Sequence, residues 1–152
     1  MHWDDTANAG FCDAGVTPWM RVMDDHKAVN AAAQRAFRSE SELSPWQWWQ
    51  RALADRKAHR DVFVYGGFED LSAGLEKVYA YARTSSSTGR ADRWVVVLNF
   101  SGEEQAWDLP GGTQVDFWAA TTYGKGKAED KSLSGTVTLK PWEGLLGKVK
   151  AA

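Results

Sequence analysis

From Asp61 onward the chain alternates apolar and polar residues with a period of two, a pattern that residues 1–60 never sustain. VFVY (62–65), KVYAYAR (77–83), RWVVVLNF (93–100), QAWDL (105–109), TQVDFWA (113–119) and TVTLK (136–140) all read as strands. In KVYAYAR, Val78, Ala80 and Ala82 fall on one face and Tyr79 and Tyr81 on the other. RWVVVLNF is almost wholly apolar, which predicts a central strand covered on both sides. Gly66-Gly67, the serine-rich run at 85–89, Pro110-Gly111-Gly112 and the polar stretch 124–131 punctuate these segments as turns and loops. Short strands spaced in this way predict an antiparallel β-sandwich over residues 61–152, and a mainly β chain.

The stretch SELSPWQWWQRALADRKAHR (41–60) switches to helical spacing. Leu43, Trp46, Trp49 and Leu53 recur every three or four residues, predicting a helix over about 42–59 with one apolar stripe. Ser41 or Ser44 suits its N-cap and Pro45 its first turn, while Arg56, Lys57, His59 and Arg60 favour the negative C-terminal end. Trp46, Trp48 and Trp49 spread over more than one face, so the helix asks for a second layer to lie against. Residues 1–40 hold turn formers (Asp4, Asp5, Asn8, Gly10, Asp13, Gly15, Pro18), and NAAAQRAF (30–37) offers two helical turns. The rest predicts a long loop, uncommon inside a compact domain, that lies over a surface outside this chain. Two parts follow: 1–60, a loop and helix without a core of their own, and 61–152, the sandwich.

Composition narrows the function without naming it. The net charge of −2 provides no basic surface for nucleic acid. No apolar run approaches the roughly 18 residues of a membrane span. No leader pattern is present, which predicts a cytoplasmic protein. Cys12 is the single cysteine, so neither an intrachain disulfide nor a cysteine zinc cluster can form. Nine tryptophans are unusual; they serve either as core filler or as platforms for sugar rings.

Candidate chemistry is sparse. His59-Arg60-Asp61 opens like a kinase catalytic loop, but Gly66 stands where the metal-binding asparagine belongs. His2, His26 and His59 lie far apart, and GKGK (124–127) is not a phosphate loop, so neither a metal nor a cofactor is expected. The paired acids Asp4-Asp5, Asp24-Asp25 and Glu103-Glu104 sit in polar loops, where adjacent carboxylates rarely face one pocket. Asn99-Phe100-Ser101 is a formal glycosylation sequon at the end of the most apolar strand, and is expected unmodified. Residue chemistry alone yields no catalytic, substrate-binding or metal residue.

Longer patterns do carry a resemblance. MHWDD…NAGF, PWMRVMDD, AAAQ, LADRKAHRDVFVYGGFEDL, EKVYAYAR, VVVLNFSGEEQAWDLP and TLKPWEGLLG occur in this order. Together they resemble the C-terminal third of α-glucosidases of the maltase, oligo-1,6-glucosidase and isomaltase group, in the α-amylase superfamily (glycoside hydrolase family 13). The resemblance implies a (β/α)₈ catalytic barrel followed by a small antiparallel β domain. Residues 1–60 would then be the last loop and helix of an incomplete barrel. It also implies a retaining hydrolase of α-glucosidic bonds in maltose- or isomaltose-type oligosaccharides. The aspartate nucleophile, the glutamate acid/base and the stabilising aspartate would all precede the MHWD stretch. None of the acids here matches those motifs, so the chain itself is expected to be inactive, with a structural role. His2 stands where that family usually has glutamine. Asp4, Asp5 and Asn8 are expected to shape a loop near the active-site rim, without serving as ligands. The competing expectation is a free-standing sandwich that binds carbohydrate or protein, with Trp107, Trp118 and Trp142 aligned and exposed on one sheet face.

Overall fold

The computed structural model describes residues 1–39, 42–85, 92–123, 128 and 130–150. Two compact units divide the chain, Met1–Ala52 and Leu53–Ala152.

In the first unit, short 3-10 turns at Ala7–Gly10 and Asp24–Lys27 precede helix α1, Ala31–Ala36. Asn30 caps α1: its Oδ1 accepts from the Ala33 N–H at 2.7 Å, while its Nδ2 donates to the His26 carbonyl at 2.8 Å. Helix α2, Pro45–Ala58, begins in this unit and ends in the second. Ser44 Oγ accepts from the Gln47 N–H and Gln47 Oε1 accepts from the Ser44 N–H, which makes a reciprocal cap. The other candidate cap, Ser41, lies outside the described residues. The expected apolar stripe forms but is not covered: Trp49 is 67% exposed, Leu53 is 56% exposed, and no residue of α2 is buried.

The second unit is a sandwich. Strands β1 (Gly67–Asp70), β2 (Val78–Thr84), β3 (Arg93–Asn99), β4 (Gln105–Asp108), β5 (Val115–Thr121), β6 (Thr136–Leu139) and β7 (Gly144–Val149) form two sheets. One has five antiparallel strands in the order β1-β2-β3-β7-β5; the other pairs β4 with β6. The core lies between them. Val78, Ala80, Ala82, Val95, Val97, Val115, Trp118 and Leu145 come from the large sheet, and Trp107, Val137 and Leu139 from the small one.

Three expectations need correction. VFVY is not a strand: Arg60–Phe63 form a helical turn, α3, with Val62 fully buried and the Phe63 ring packed edge-on against Trp94 at 5.5 Å. Four apolar residues cannot distinguish a strand from a buried turn by period alone. The chain then crosses onto β2 at Gly66, where a Cβ would stand 2.4 Å from the Val62 and Thr84 carbonyl oxygens. Second, two strands escaped the pattern. β1 is exposed throughout and so carries no alternation, and β7 is interrupted by Gly147. A Cβ on Gly147 would meet the Trp118 ring at 2.7 Å, so the indole lies directly on the β7 backbone. Third, β3 is central, between β2 and β7, but its outer side is covered only in part, at Trp94, which is buried beside His59 and Phe63. Val95 and Val97 are fully buried against the small sheet, whereas Val96 and Leu98 face outward and are half-buried.

Replacing Gly147 by Ala should destabilise the sandwich by about 1–3 kcal/mol, because Trp118 has nowhere to retreat. A lowered denaturant midpoint with an unchanged slope is the expected readout; an unaltered midpoint contradicts the packing.

Candidate functional site

The N-terminal stretch singled out by its turn formers folds into a defined loop. Asp4 accepts from the Thr6 N–H at 3.0 Å and from the Thr6 hydroxyl at 2.5 Å, closing the first bend. Those two bonds hold the Asp4 carboxyl below its ordinary range, so it stays ionised and is a poor proton donor. Asn8 and Ala9 adopt left-handed backbone, and Asn8 Nδ2 donates to the Asp13 and Val16 carbonyls at 2.8 Å each. Gly10 has φ +73°, and a Cβ there would press on the Asp4 carboxylate and on Trp3. The His2 and Trp3 carbonyls accept from the first α1 amides, Ala31 and Ala32, at 2.9 Å. His2 Nδ1 lies 3.0 Å from the Val29 carbonyl. Thus the MHWDD segment both forms its own loop and caps a helix.

Beside that loop is a concavity of about 300 Å³ lined by Met1, Trp3, Ala31, Ala32, Arg35 and Trp46. The Arg35 guanidinium stacks over the Trp46 ring at 5.6 Å. No carboxylate, hydroxyl or imidazole lines it. It has shape and apolar surface but no group to move a proton or attack a bond.

Two more of the paired acids are bonded to cations. Asp24 is held by Arg21 through a hydrogen-bonded ion pair, and Glu103 by Lys77 at 2.5 Å; both carboxyls are lowered by those cations. His59 packs its ring on Trp94 at 4.8 Å, a packing role. GKGK lies outside the described residues. Among the described residues there is no cluster of three metal-ligating side chains, and no helix is long and apolar enough to cross a membrane. The sequon Asn99 is buried: its Nδ2 donates to the Glu103 and Lys140 carbonyls at 2.7 and 2.9 Å, and its Oδ1 accepts from Ser101. Folded, it presents no free amide for modification.

Sequence reasoning missed the most enclosed charge. Glu143 is fully buried, where its Oε1 accepts from Thr121 Oγ1 at 2.6 Å. Its Oε2 accepts from Lys131 Nζ and the Lys140 N–H, both at 2.7 Å. Lys131 also donates to the Thr138 carbonyl. An acid flanked by Trp142 and the apolar GLLG is the only sequence signal it gives. Every polar atom in the group has a partner, so it knits the ends of β5, β6 and β7 together instead of performing chemistry.

Apolar surface divides differently. Among described residues 1–52 only Ala9, Asn30 and Ser44 are buried, while Trp3, Met20 and Met23 are exposed and Trp19 is 93% exposed. Trp48 Nε1 is buried with no hydrogen-bond acceptor among the described residues. The outer face of the five-stranded sheet carries Phe68, Tyr79, Tyr81, Val96, Leu98 and Leu146, with neighbouring tyrosine and phenylalanine rings 5.5 Å apart. The aromatic row expected of a free-standing binding module is absent: Trp107 and Trp118 are core residues, 3% and 7% exposed. Trp142 alone of the three is exposed.

Known proteins share this arrangement. The chain is 41% identical over 110 residues to an α-glucosidase of Schizosaccharomyces pombe, covering 72% of the chain and 18% of that protein. It is 29% identical to an oligo-1,6-glucosidase of Parageobacillus thermoglucosidasius over 99% of the chain and 25% of the relative. Similarity at 29% identity to a trehalose-6-phosphate hydrolase of Bacillus subtilis covers 96% and 24%. Among solved structures, the trehalulose synthase of Pseudomonas mesoacidophila MX-45 superimposes with a TM-score of 0.80 at 27% identity, covering 98% of the chain and 24% of that protein. The isomaltulose synthase of Klebsiella sp. LX3 gives 0.79 at the same identity and coverage. The chain therefore spans about a quarter, or less, of the proteins it matches. No protein-family model matches it.

Two measurements check these assignments. Glu143→Ala strands the Lys131 ammonium in the interior and should cost about 3–5 kcal/mol, whereas a double replacement of both residues by Met should recover most of that loss. Acid provides the second. Asp70, bonded by Ser72, and Glu103, bonded by Lys77, lie below their ordinary values of 3.8 and 4.5 when folded. Their contribution is complete above those values and is lost as pH falls through the lower folded ones, so stability should decline on acidification below pH 4.5. Asp70→Asn with Glu103→Gln should flatten that decline.

Proposed function

The chain belongs to the α-amylase superfamily, glycoside hydrolase family 13, and from that premise we propose that it is the structural C-terminal part of an α-glucosidase-like hydrolase. In this reading residues 1–60 complete the rim and last helix of a (β/α)₈ barrel, and residues 61–152 form the sandwich appended to it. The whole enzyme cleaves α-glucosidic bonds of maltose- or isomaltose-type oligosaccharides with retention, using carboxylates carried outside these residues. It works in the cytoplasm.

The observation that carries the proposal is the unequal burial of the two units. The described residues of 53–152 close an apolar core, whereas those of 1–52 fully bury only Ala9, Asn30 and Ser44 and still hold a defined, hydrogen-bonded shape. A shape kept by polar bonds while Trp3, Trp19 and Trp49 face water fits a segment made to seat on a larger body. Trp48, with its buried indole N–H unmatched, points the same way. The bonded state of Asp4, Asp24 and Glu103 supports a structural role for these three acids.

Three assays test this. Replacing the matched quarter of the Parageobacillus oligo-1,6-glucosidase by this chain should yield an active hydrolase, and deleting that quarter an inactive one. The chain alone should release no nitrophenol from a nitrophenyl α-glucoside. Turnover abolished by a single Asp→Asn or Glu→Gln change within the 152 residues would overturn the assignment. The isolated chain should also bind an apolar dye through Trp3, Trp19 and Trp49; a monodisperse, cooperatively melting monomer that ignores the dye contradicts the seating role.

A further inference from the structure

Trp142 occupies a position that neither packing nor backbone preference explains. It is the third residue of the turn 140–143, closed by the Glu143 N–H donating to the Lys140 carbonyl at 3.1 Å. Its φ is +58°. Glycine or asparagine is the ordinary occupant of such a site. For other L-residues the left-handed region costs roughly 1–2 kcal/mol. The other non-glycine residues with positive φ among those described are Asn8, which tolerates it, and the small Ala9. A bulky aromatic in this conformation marks strain that burial should offset. Burial does not: the residue is 65% exposed.

What the surroundings do supply is support. The Trp142 N–H donates to the Ser101 carbonyl at 3.0 Å. The indole leans on Gly102, whose missing Cβ would stand 3.7 Å from Nε1 and 3.9 Å from Cζ2. Ser101 is itself fixed by two bonds to Asn99 Oδ1. On the other side Tyr123 OH donates to the Pro141 carbonyl at 2.7 Å, and the Lys140 ammonium lies over the Tyr123 ring. An indole is thus propped from beneath on a braced double turn, with most of its surface open. The neighbouring 99–103 turn that it leans on is followed by Glu104 and carries Glu103, paired with Lys77, and the exposed Phe100. The site stands at the Leu98–Gly144 end of the β3–β7 pair, opposite the Trp94–Lys148 end where α3 packs.

We propose that Trp142 is a secondary carbohydrate platform, stacking the apolar face of an α-linked glucosyl unit. A flat aromatic held on a braced turn and open to water matches a pyranose, which has an apolar face and a hydroxyl edge. A protein hot spot instead calls for near-neutral contacts around the anchor that exclude water. The ligand class rests on the α-glucoside reading above; the platform geometry does not.

The test is electrophoresis of the full 152-residue chain through gels containing soluble glycogen, with maltohexaose or cellohexaose as competitor. Glycogen should retard the chain, and maltohexaose but not cellohexaose should release it. Trp142→Gly should weaken retention by at least about tenfold, equivalent to 1.4 kcal/mol. It should leave the unfolding midpoint equal or higher, since glycine relieves the strained φ. Trp142→Tyr should keep most of the retention, and Trp19→Ser, which removes the most exposed indole elsewhere, should keep all of it. Undiminished binding by Trp142→Gly, an equal loss in Trp19→Ser, or release by cellohexaose alone overturns the proposal. A lowered midpoint accompanying the loss overturns it as well, because the residue would then be structural. Glycogen indifference in a chain whose chimera is active sinks the platform alone. An inactive chimera with Trp142-dependent retention sinks only the hydrolase reading.

Discussion

Burial of the inner face of the five-stranded sheet against the β4–β6 pair is the interaction on which the remaining structure depends. Val95 and Val97 of β3, Leu145 of β7 and Val137 and Leu139 of β6 lose essentially all contact with water there. Burying aliphatic side chains of this size contributes about 1.5–3 kcal/mol each, enough to order the backbone that carries them. On the outer sheet face α3 packs at Trp94, and the described residues of 1–52 have no comparable core. One part of the chain is therefore held by the hydrophobic effect and the other by polar bonds.

Those polar bonds are local and specific. Asn30 and Ser44 are the buried polar residues among those described in the first unit, and each caps a helix. Asn8 and Asp4 serve the N-terminal loop similarly by binding backbone groups that a loop would otherwise leave to solvent. Such bonds contribute about 0.5–1.5 kcal/mol net apiece, too little to fold an uncovered segment by themselves. They fix a local conformation while Trp3, Trp19 and Trp49 stay exposed.

In the sandwich, polar groups act as keystones within an apolar frame. Glu143 and Lys131 satisfy one another together with Thr121, Lys140 and Thr138, and Asn99 ties β3 to the turns at 101–103 and 140–143. Trp142 projects from the same junction. The rigidity that lets an exposed indole hold a left-handed backbone comes from these bonds.

The sequence by itself determined the strands whose two faces differ in burial, β2 through β6, because a period of two is the direct imprint of one dry face. It also determined α1 and α2, with Ser41 or Ser44 as the α2 cap, and, through motifs occurring in order along the chain, the superfamily; the structure shows Ser44 in the cap. Tertiary structure decided what depends on a neighbour distant in sequence. β1 became a strand because β2 offers it an edge, β7 because Trp118 needs a glycine beneath it, and VFVY a helical turn because Val62 and Phe63 fit against the sheet. Burial of Glu143, Trp107 and Trp118, and exposure of Trp142, belong to the same class. Residue type sets what burial is worth, but only the folded arrangement sets which side chains meet water.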